Sequence, residues 1–594
     1  MNKSLQRRLR VFSGLVVLLA VLLTARLAWL QIHNFEYYRA SAENNRQRQL
    51  PIAAPRGEIF ALNGELLAAN RPGFAVSLLD FDLRDVETIR YLAELLEIDE
   101  EYIRERVRGE RFRSFAPIQI AGNVSAEVVA KLEERRMDLP GVIIETQLVR
   151  EYVHGSLASH VLGYVGPISR QQIEEMQAQG IIYRGTDAIG QAGVEHVWEQ
   201  TLRGREGNLL VEKNRFGRRT RILAREDPVP GNNIYLTLDA RLQEIAERAL
   251  RQVIKNLVES GNTQAGRGSV VIIDPNSGAI RAMVSYPAYD PNTLAQNFKQ
   301  LAADRRNQPL RNKAIQDFHP VGSTFKMLPG IAALEEGLIN EQSRVTCRGV
   351  ATFFNGRQTS RCLKVHGALS IIPAIAQSCN VFFYEMGYRL GIDRLSSYAE
   401  SFGFGSPTGL NDLRGEAAGS LNNRGRLDFM PGNLMGASIG QGHEITALQM
   451  ANFAAMLANG GIHYRPYLVQ KAKDHLGEVI FNAEPKIIQQ LEFSEKNWEI
   501  IRQGMKNVTD FGGTAPSMRR LPVKVAGKTG TVEVSSLRYS HSTFVGYAPA
   551  EAPELAFYVI VENSLHRPGS SAVPVISQII GEYYSPIQGG QGDR

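Results

Sequence analysis

The 594-residue chain has no marked excess of either charge, no internal repeat and no low-complexity tract. Lys and Arg number 67 against 61 Asp and Glu, a net charge of +6. Spread over this length, that field is too thin to point to nucleic acid as a partner. Familiar hydrolase words are missing as well. Ser323 has no Gly-x-Ser-x-Gly elbow around it, and His443-Glu444 lacks the second histidine of a zinc-protease helix. Gly527-Lys528-Thr529 looks like the end of a phosphate-binding loop, but Pro522 stands where that loop needs its first glycine. Nucleotide chemistry is therefore set aside. The composition itself, 43% hydrophobic and 22% charged, is that of a folded protein, and the length exceeds one core, so two or three domains are expected.

One long apolar run stands near the start. Residues 1–10 carry Lys3, Arg7, Arg8 and Arg10 with no acid, and residues 11–32 are then apolar apart from small polar side chains, Arg26 and Gln31. As a helix this run spans about 33 Å, enough for a bilayer core. Arg26 can snorkel to the far interface beside Trp29, an interfacial anchor. A cleaved signal peptide is the rival reading, but no small-x-small cleavage site is present and the run continues to Leu30. The expectation is a 1–10 cytoplasmic tail, an 11–32 transmembrane helix, and everything beyond on the outer side.

Residues 33–50 read as a polar, helix-compatible stalk. Residues 51–230 mix short strands with charged helices, 86–108 and 125–137 among them, and carry no plausible catalytic cluster, so a pedestal or interaction domain is expected. Asp227-Pro228-Val229-Pro230-Gly231 is a turn-rich boundary. In 231–594 a strand over 233–237 leads to a helix over 240–256. Apolar strands at 269–273 and 279–285 flank Asp274-Pro275-Asn276-Ser277-Gly278, a hairpin signal. A second strand pair, 543–547 and 555–562, precedes a closing helix at 571–583. Strands at both ends of a largely helical middle predict an α+β domain with one antiparallel sheet flanked by helices.

Within that domain three short words supply one chemistry: Ser323-Thr324-Phe325-Lys326, Ser378-Cys379-Asn380 and Lys528-Thr529-Gly530-Thr531. Serine and lysine three apart share one face of a helical turn, as nucleophile and base. Pro320 and Gly322 break the chain just before a helix over 327–336, which places Ser323 at a helix N-terminus where developing negative charge is favoured. Pro329 should kink that helix or hold it open. The second word offers a hydroxyl and an amide; the third an ammonium, hydroxyls and, after the strand-like residues 522–526, the edge of a cleft. Acyl transfer through a serine ester without a histidine base needs this set.

Together, in this order and spacing, the words resemble the penicillin-binding protein and serine β-lactamase superfamily, and most closely the membrane-anchored, elongation-type class B enzymes. Arg311-Asn312-Lys313-Ala314-Ile315-Gln316, Gly440-Gln441-Gly442 with Thr446-Ala447-Leu448-Gln449, Arg56-Gly57-Glu58-Ile59 and Leu202-Arg203-Gly204 extend the likeness along the chain. Thr446 to Gln449 is also a capping box for an apolar helix. Two departures stand out: Val321 replaces the family's usual second proline, and Val532-Glu533 follow the third word in place of Ala-Gln, adding a negative charge near the groove. The resemblance implies that Ser323 attacks the penultimate D-Ala of a peptidoglycan stem peptide, that Lys326 is the base and Ser378 a proton relay, and that Asn380 holds the peptide amide. It also implies that Lys528, Thr529 and Thr531, in a substrate-binding stretch that includes Gly530, bind the terminal carboxylate or amides and that the N–H groups of Ser323 and Thr531 form the oxyanion hole. An amine of a second stem peptide then resolves the ester. β-Lactams as ligands, a SEDS-type glycosyltransferase of the rod-elongation machinery as partner, and a cytoplasmic (inner) membrane location with a periplasmic catalytic domain follow from the same likeness. Division-specific transpeptidase and D,D-carboxypeptidase remain alternatives.

All three cysteines, Cys347, Cys362 and Cys379, fall between the first and second words, with His366 among them. They could form a Cys₃His zinc site, and some enzymes of the resembled group carry a metal quartet in this insert. The alternatives are a Cys347–Cys362 disulfide with Cys379 as a core thiol, or three free thiols. No organic cofactor is expected.

Overall fold

The computed structural model describes residues 3–39, 47–78, 86–110, 118–185, 187–213, 219–422, 432–533, 539–564 and 571–585. The apolar run is a helix, Ser4–His33, long and apolar enough to cross a membrane. Near its end the Arg26 guanidinium lies 4.4 Å from the centre of the Trp29 ring, pairing the two interfacial residues.

Contacts divide the chain into two compact units. The first comprises Met1–Pro55, Pro72–Val149 and Gly204–Pro230. Gln47–Ile52, Gly207–Lys213 and Arg219–Glu226 form an antiparallel three-stranded sheet in it. The end of the expected stalk is thus a strand, because its backbone finds a partner in Gly207–Lys213. A separate apolar core gathers Val76, Leu78, Ile89, Leu92, Ile103, Val107, Ile120 and Leu132. The single helix expected over 86–108 is two, Val86–Leu96 and Glu100–Glu110. Glu97 adopts a left-handed φ of 56°, and Asp99 accepts the Glu101 N–H at 2.8 Å to start the second helix. The helix expected over 125–137 is Ala126–Glu134, capped by Ser125.

The second unit comprises Arg56–Arg71, Arg150–Arg203 and Gly231–Arg594. Its membership departs from a single cut at 230, for reasons visible in its side chains. The Ala158 N–H donates to Glu247 at 2.8 Å, the Trp198 indole donates to Asp412 at 3.0 Å, and the Asn292 amide brackets both backbone groups of Tyr152 at 2.9 Å. Leu157, Val161, Leu162, Val194 and Leu202 join the main core. Arg56 binds Glu195 and Glu199 at 2.6 Å each, and Arg150 binds Glu195 at 2.6 Å.

The main sheet of this unit is antiparallel, in the order Ile280–Tyr286, Gly268–Ile273, Leu555–Ser564, Ser540–Ala548, Ala526–Glu533. Both expected hairpins are in it. Ser540–Ala548 is buried at every residue, as a central strand covered on both faces must be. Ala240–Glu259, capped by Asp239, turns Leu242, Ile245, Ala246, Ala249, Leu250 and Ile254 inward and packs with Ala572–Tyr583 against the sheet. Ala447–Asn459 opens on the Thr446–Gln449 capping box and packs on Leu555–Ser564 and Gly268–Ile273. Ala526–Glu533 is left at the edge.

Candidate active site

The turn that carries Ser323 is fixed from two sides. Phe318–Pro320 pairs antiparallel with Glu444–Thr446, and just beyond, the N–H groups of Val321 and Gly322 both donate to the Gly440 carbonyl, at 3.2 and 3.0 Å. A Cβ on Gly440 would stand 2.2 Å from the Gly322 oxygen, which explains the glycine. Gly322 has φ of 58°, and a Cβ there would stand 2.6 Å from the Thr531 carbonyl oxygen. The turn therefore abuts the edge strand at Thr531, and Ser323 sits in this turn, Gly322–Phe325, ahead of the helix Met327–Glu335. Pro329 is the third residue of that helix, where its missing N–H leaves no broken bond, and it does not end it.

Lys326 is completely buried. Its Nζ donates to the Ser378 carbonyl at 2.9 Å, to Ser378 Oγ at 3.1 Å and to Asn380 Oδ1 at 2.6 Å, using all three ammonium protons. Burial pulls its pKa down from the usual lysine range to about 7, against the opposing pull of the Cys362 and Cys379 sulfurs. The first two words of the sequence thus meet at one nitrogen.

Ser378 is presented by strain. It closes the helix Ile371–Ala376 with a left-handed φ of 57°, held by its N–H on the Ile375 carbonyl at 3.1 Å and by the Cys379 N–H on Ala374 at 3.0 Å. A non-glycine residue in this region costs about 1–3 kcal/mol and persists only where its surroundings impose it. Asn380 then begins the helix Asn380–Ser401.

The third word lies on the edge strand, as the strand-like residues before it led us to expect, though the strand starts at Ala526. Lys528 is completely buried with its Nζ on the Thr529 carbonyl at 2.9 Å; burial first, and the Lys326 charge second, push its pKa far below the lysine range. Gly530 has no alternative: a Cβ would stand 2.1 Å from Thr543 Oγ1 and 2.9 Å from Thr324 Cγ2. Thr531 Oγ1 is buried with no hydrogen-bond partner among the described residues, a hydroxyl that could serve a ligand. Thr529 Oγ1 is 2.8 Å from Thr514 Oγ1. Thr514 escaped the sequence reading because a lone threonine after two glycines carries no signal.

Beside this centre, the Sγ atoms of Cys347, Cys362 and Cys379 and a ring nitrogen of His366 all lie within 4.8 Å of one another. His366 Nδ1 is 3.5 Å from both Cys347 and Cys362, and the Cys362 and Cys379 sulfurs are 4.0 Å apart. Tetrahedral Zn²⁺ with bonds of about 2.3 Å to sulfur and 2.0–2.1 Å to nitrogen asks for edges of roughly 3.5–3.8 Å, so the quartet fits. The Asn380 N–H donates to Cys362 Sγ at 3.2 Å, a link between quartet and centre that spacing alone could not show. A second grouping, Asp317, His319 and Glu562, is of another kind, because Arg267 binds both carboxylates, at 2.9 and 3.0 Å.

Residues 268–581 match the penicillin-binding protein transpeptidase domain, and residues 51–236 the penicillin-binding protein dimerisation domain. The peptidoglycan D,D-transpeptidase MrdA of Acinetobacter baumannii is 34% identical over 96% of this chain and 87% of its own length. That of Escherichia coli K12 is 31% identical over 94% and 91%. Among solved structures, PBP2 in its complex with MreC from Helicobacter pylori has a TM-score of 0.76 at 25% identity, covering 91% of this chain and 99% of that one. A chain of a peptidoglycan synthase complex that coordinates polymerisation and crosslinking has a TM-score of 0.72 at 28% identity, covering 98% and 99%. The chain belongs to the penicillin-binding proteins, in the class B, elongation-type penicillin-binding protein 2 group.

Proposed function

We propose that this chain is the peptidoglycan D,D-transpeptidase of cell-wall elongation and that Ser323, Lys326, Ser378, Asn380 and Lys528 carry the reaction. The observation that carries the reading is the solvent-free contact of Lys326 Nζ with Ser378 Oγ and Asn380 Oδ1, at the foot of a serine turn that abuts Thr531. With a pKa near 7, Lys326 spends time as the free amine and takes the Ser323 proton. Ser323 Oγ bonds to the carbonyl carbon of the penultimate D-Ala while the N–H groups of Ser323 and Thr531 hold the oxyanion, each worth about 3–4 kcal/mol. The C–N bond then breaks, and Ser378 passes the proton to the departing D-Ala amine. Lys528 and Thr529 hold the terminal carboxylate, and Gly530 and Thr531 lie along the peptide's amides. The amine of a second stem peptide then attacks the ester carbonyl and gives a proton to the base; the C–O bond to Ser323 breaks, Ser323 Oγ takes that proton back, and the cross-linked peptide leaves.

One structural Zn²⁺ on Cys347, Cys362, Cys379 and His366 fits the same site; it would fix the loop that presents Ser378 and Asn380. The N-terminal helix would anchor the chain in the cytoplasmic membrane with the catalytic domain outside it, consistent with the basic residues ahead of it. A SEDS-type glycosyltransferase of the rod-elongation machinery is the partner proposed for the pedestal, in keeping with the relative found in a synthase complex.

The test is the fate of the penicilloyl-enzyme. A transpeptidase holds the ester long after free drug is removed, because water does not replace the amine efficiently. Rapid turnover of the adduct would reassign the chain to the carboxypeptidases or β-lactamases.

A further inference from the structure

The edge strand continues past its catalytic word to Glu533, whose side chain is exposed. Residues two apart on a strand share a face, so Glu533 stands on the face of Thr529 and Thr531, one step further along. Among the described residues no cation forms an ion pair with it. Across from it, Tyr384 lies one helical turn beyond Asn380, and the Glu533 charge, after burial and Cys362, helps push the Tyr384 phenol up to about 12. On that same side the Arg361 carbonyl is engaged only at 3.5 Å, by the Asn380 amide and the Tyr384 hydroxyl. One end of the cleft thus offers a carboxylate and weakly used acceptors.

The direction of the substrate follows from the proposed function, on which this inference rests. With its terminal carboxylate at Lys528 and Thr529 and its scissile carbonyl at Thr531, a donor peptide lies antiparallel to the free edge of the strand. Its upstream residues then run toward Glu533. Two strand residues cover about 7 Å; the residue before the D-Ala pair lies one residue, about 3.5–5 Å, upstream of the scissile carbonyl, and a long side chain there spans the remaining distance. We propose that Glu533 is a specificity-determining residue, which accepts the ammonium of a basic or diamino acid placed immediately before D-Ala-D-Ala in the donor. The strand geometry, with no ion pair to it among the described residues, assigns it that role. The residues beyond it in sequence lie outside the described set.

Penicillins that differ only in the charge of one side chain test this on the full-length protein. Carbenicillin carries a carboxylate and ampicillin an ammonium at the same carbon of a phenylacetyl group, which occupies the place of the residue before D-Ala-D-Ala. Second-order acylation rates are measured for both in mildly acidic, low-salt buffer. The ampicillin-to-carbenicillin ratio is expected to fall about five- to tenfold in Glu533→Gln, to fall further in Glu533→Lys, and to shrink in the wild type at high salt. Circular dichroism shows whether each variant is folded. An equal ratio in all three folded proteins overturns the role of Glu533 while leaving the transpeptidase reading intact. Failure of benzylpenicillin to label wild-type Ser323 overturns that reading, and this inference with it.

Discussion

At the scale of the residue, the proposed chemistry turns on Lys326. Its three protons are spent on Ser378 and Asn380, no carboxylate among the described residues pairs with it, and burial lowers its pKa to about 7. Only the unprotonated amine can take the serine proton, so acylation is slow in acid and rises with pH. The rate of benzylpenicillin acylation should climb with a midpoint near pH 7; a limb that rises only toward the ordinary lysine range, near pH 10, would remove Lys326 as base. Lys326→Met should cost about 10²–10⁴-fold in acylation rate without loss of fold. The turn that carries Ser323 was legible in the sequence because Pro320 and Gly322 break the chain just ahead of a helix, and Gly322–Phe325 is such a turn. Thr514 and the bond from Asn380 to Cys362 Sγ were not, since each depends on where distant segments meet.

At the scale of the element, the nucleophile turn and the edge strand approach each other so closely that glycine is obligatory at two places. Gly530→Ala puts a methyl against Thr543 and Thr324, so the strand must withdraw from the turn. Expected are about 1–3 kcal/mol of lost stability in thermal denaturation and a larger loss of acylation, since the oxyanion donors move apart. The Cys347→Ser variant probes the quartet. Its zinc content by elemental analysis should fall, and acylation should slow by about tenfold although no catalytic group has changed; unchanged kinetics in zinc-free protein would uncouple quartet from centre. Hairpins and helices with clear periodicity were readable, as at Gly268–Ile273 with Ile280–Tyr286 and at Ala447–Asn459. The break at Glu97 was not, because a glutamate in the left-handed region has no marker, nor was the polar strand Gln47–Ile52, which exists through its partner.

At the scale of the whole molecule, the unit that holds the active site is assembled from three stretches of sequence. Charge pairing helps hold the outlying ones in place: Glu195 is completely buried between Arg56 and Arg150, and Glu199 also accepts the Gly190 N–H at 2.8 Å and the Tyr183 hydroxyl at 2.7 Å. Removing one partner of a buried pair leaves the other uncompensated, so Arg56→Ala should lower stability by about 3–5 kcal/mol, read from denaturant unfolding of the same unit. The turn-rich boundary near Pro230 was visible in composition, whereas the return of Arg56 and residues 150–203 to the later unit was not, because Arg56 and Glu195 are 139 residues apart. The measurement that bears most directly on the central claim is labelled-penicillin capture on the purified protein, followed by peptide mapping. One label per chain on Ser323, lost in Ser323→Ala, is the expected result. Stoichiometric label on any other residue, or label retained by the folded Ser323→Ala protein, would contradict it.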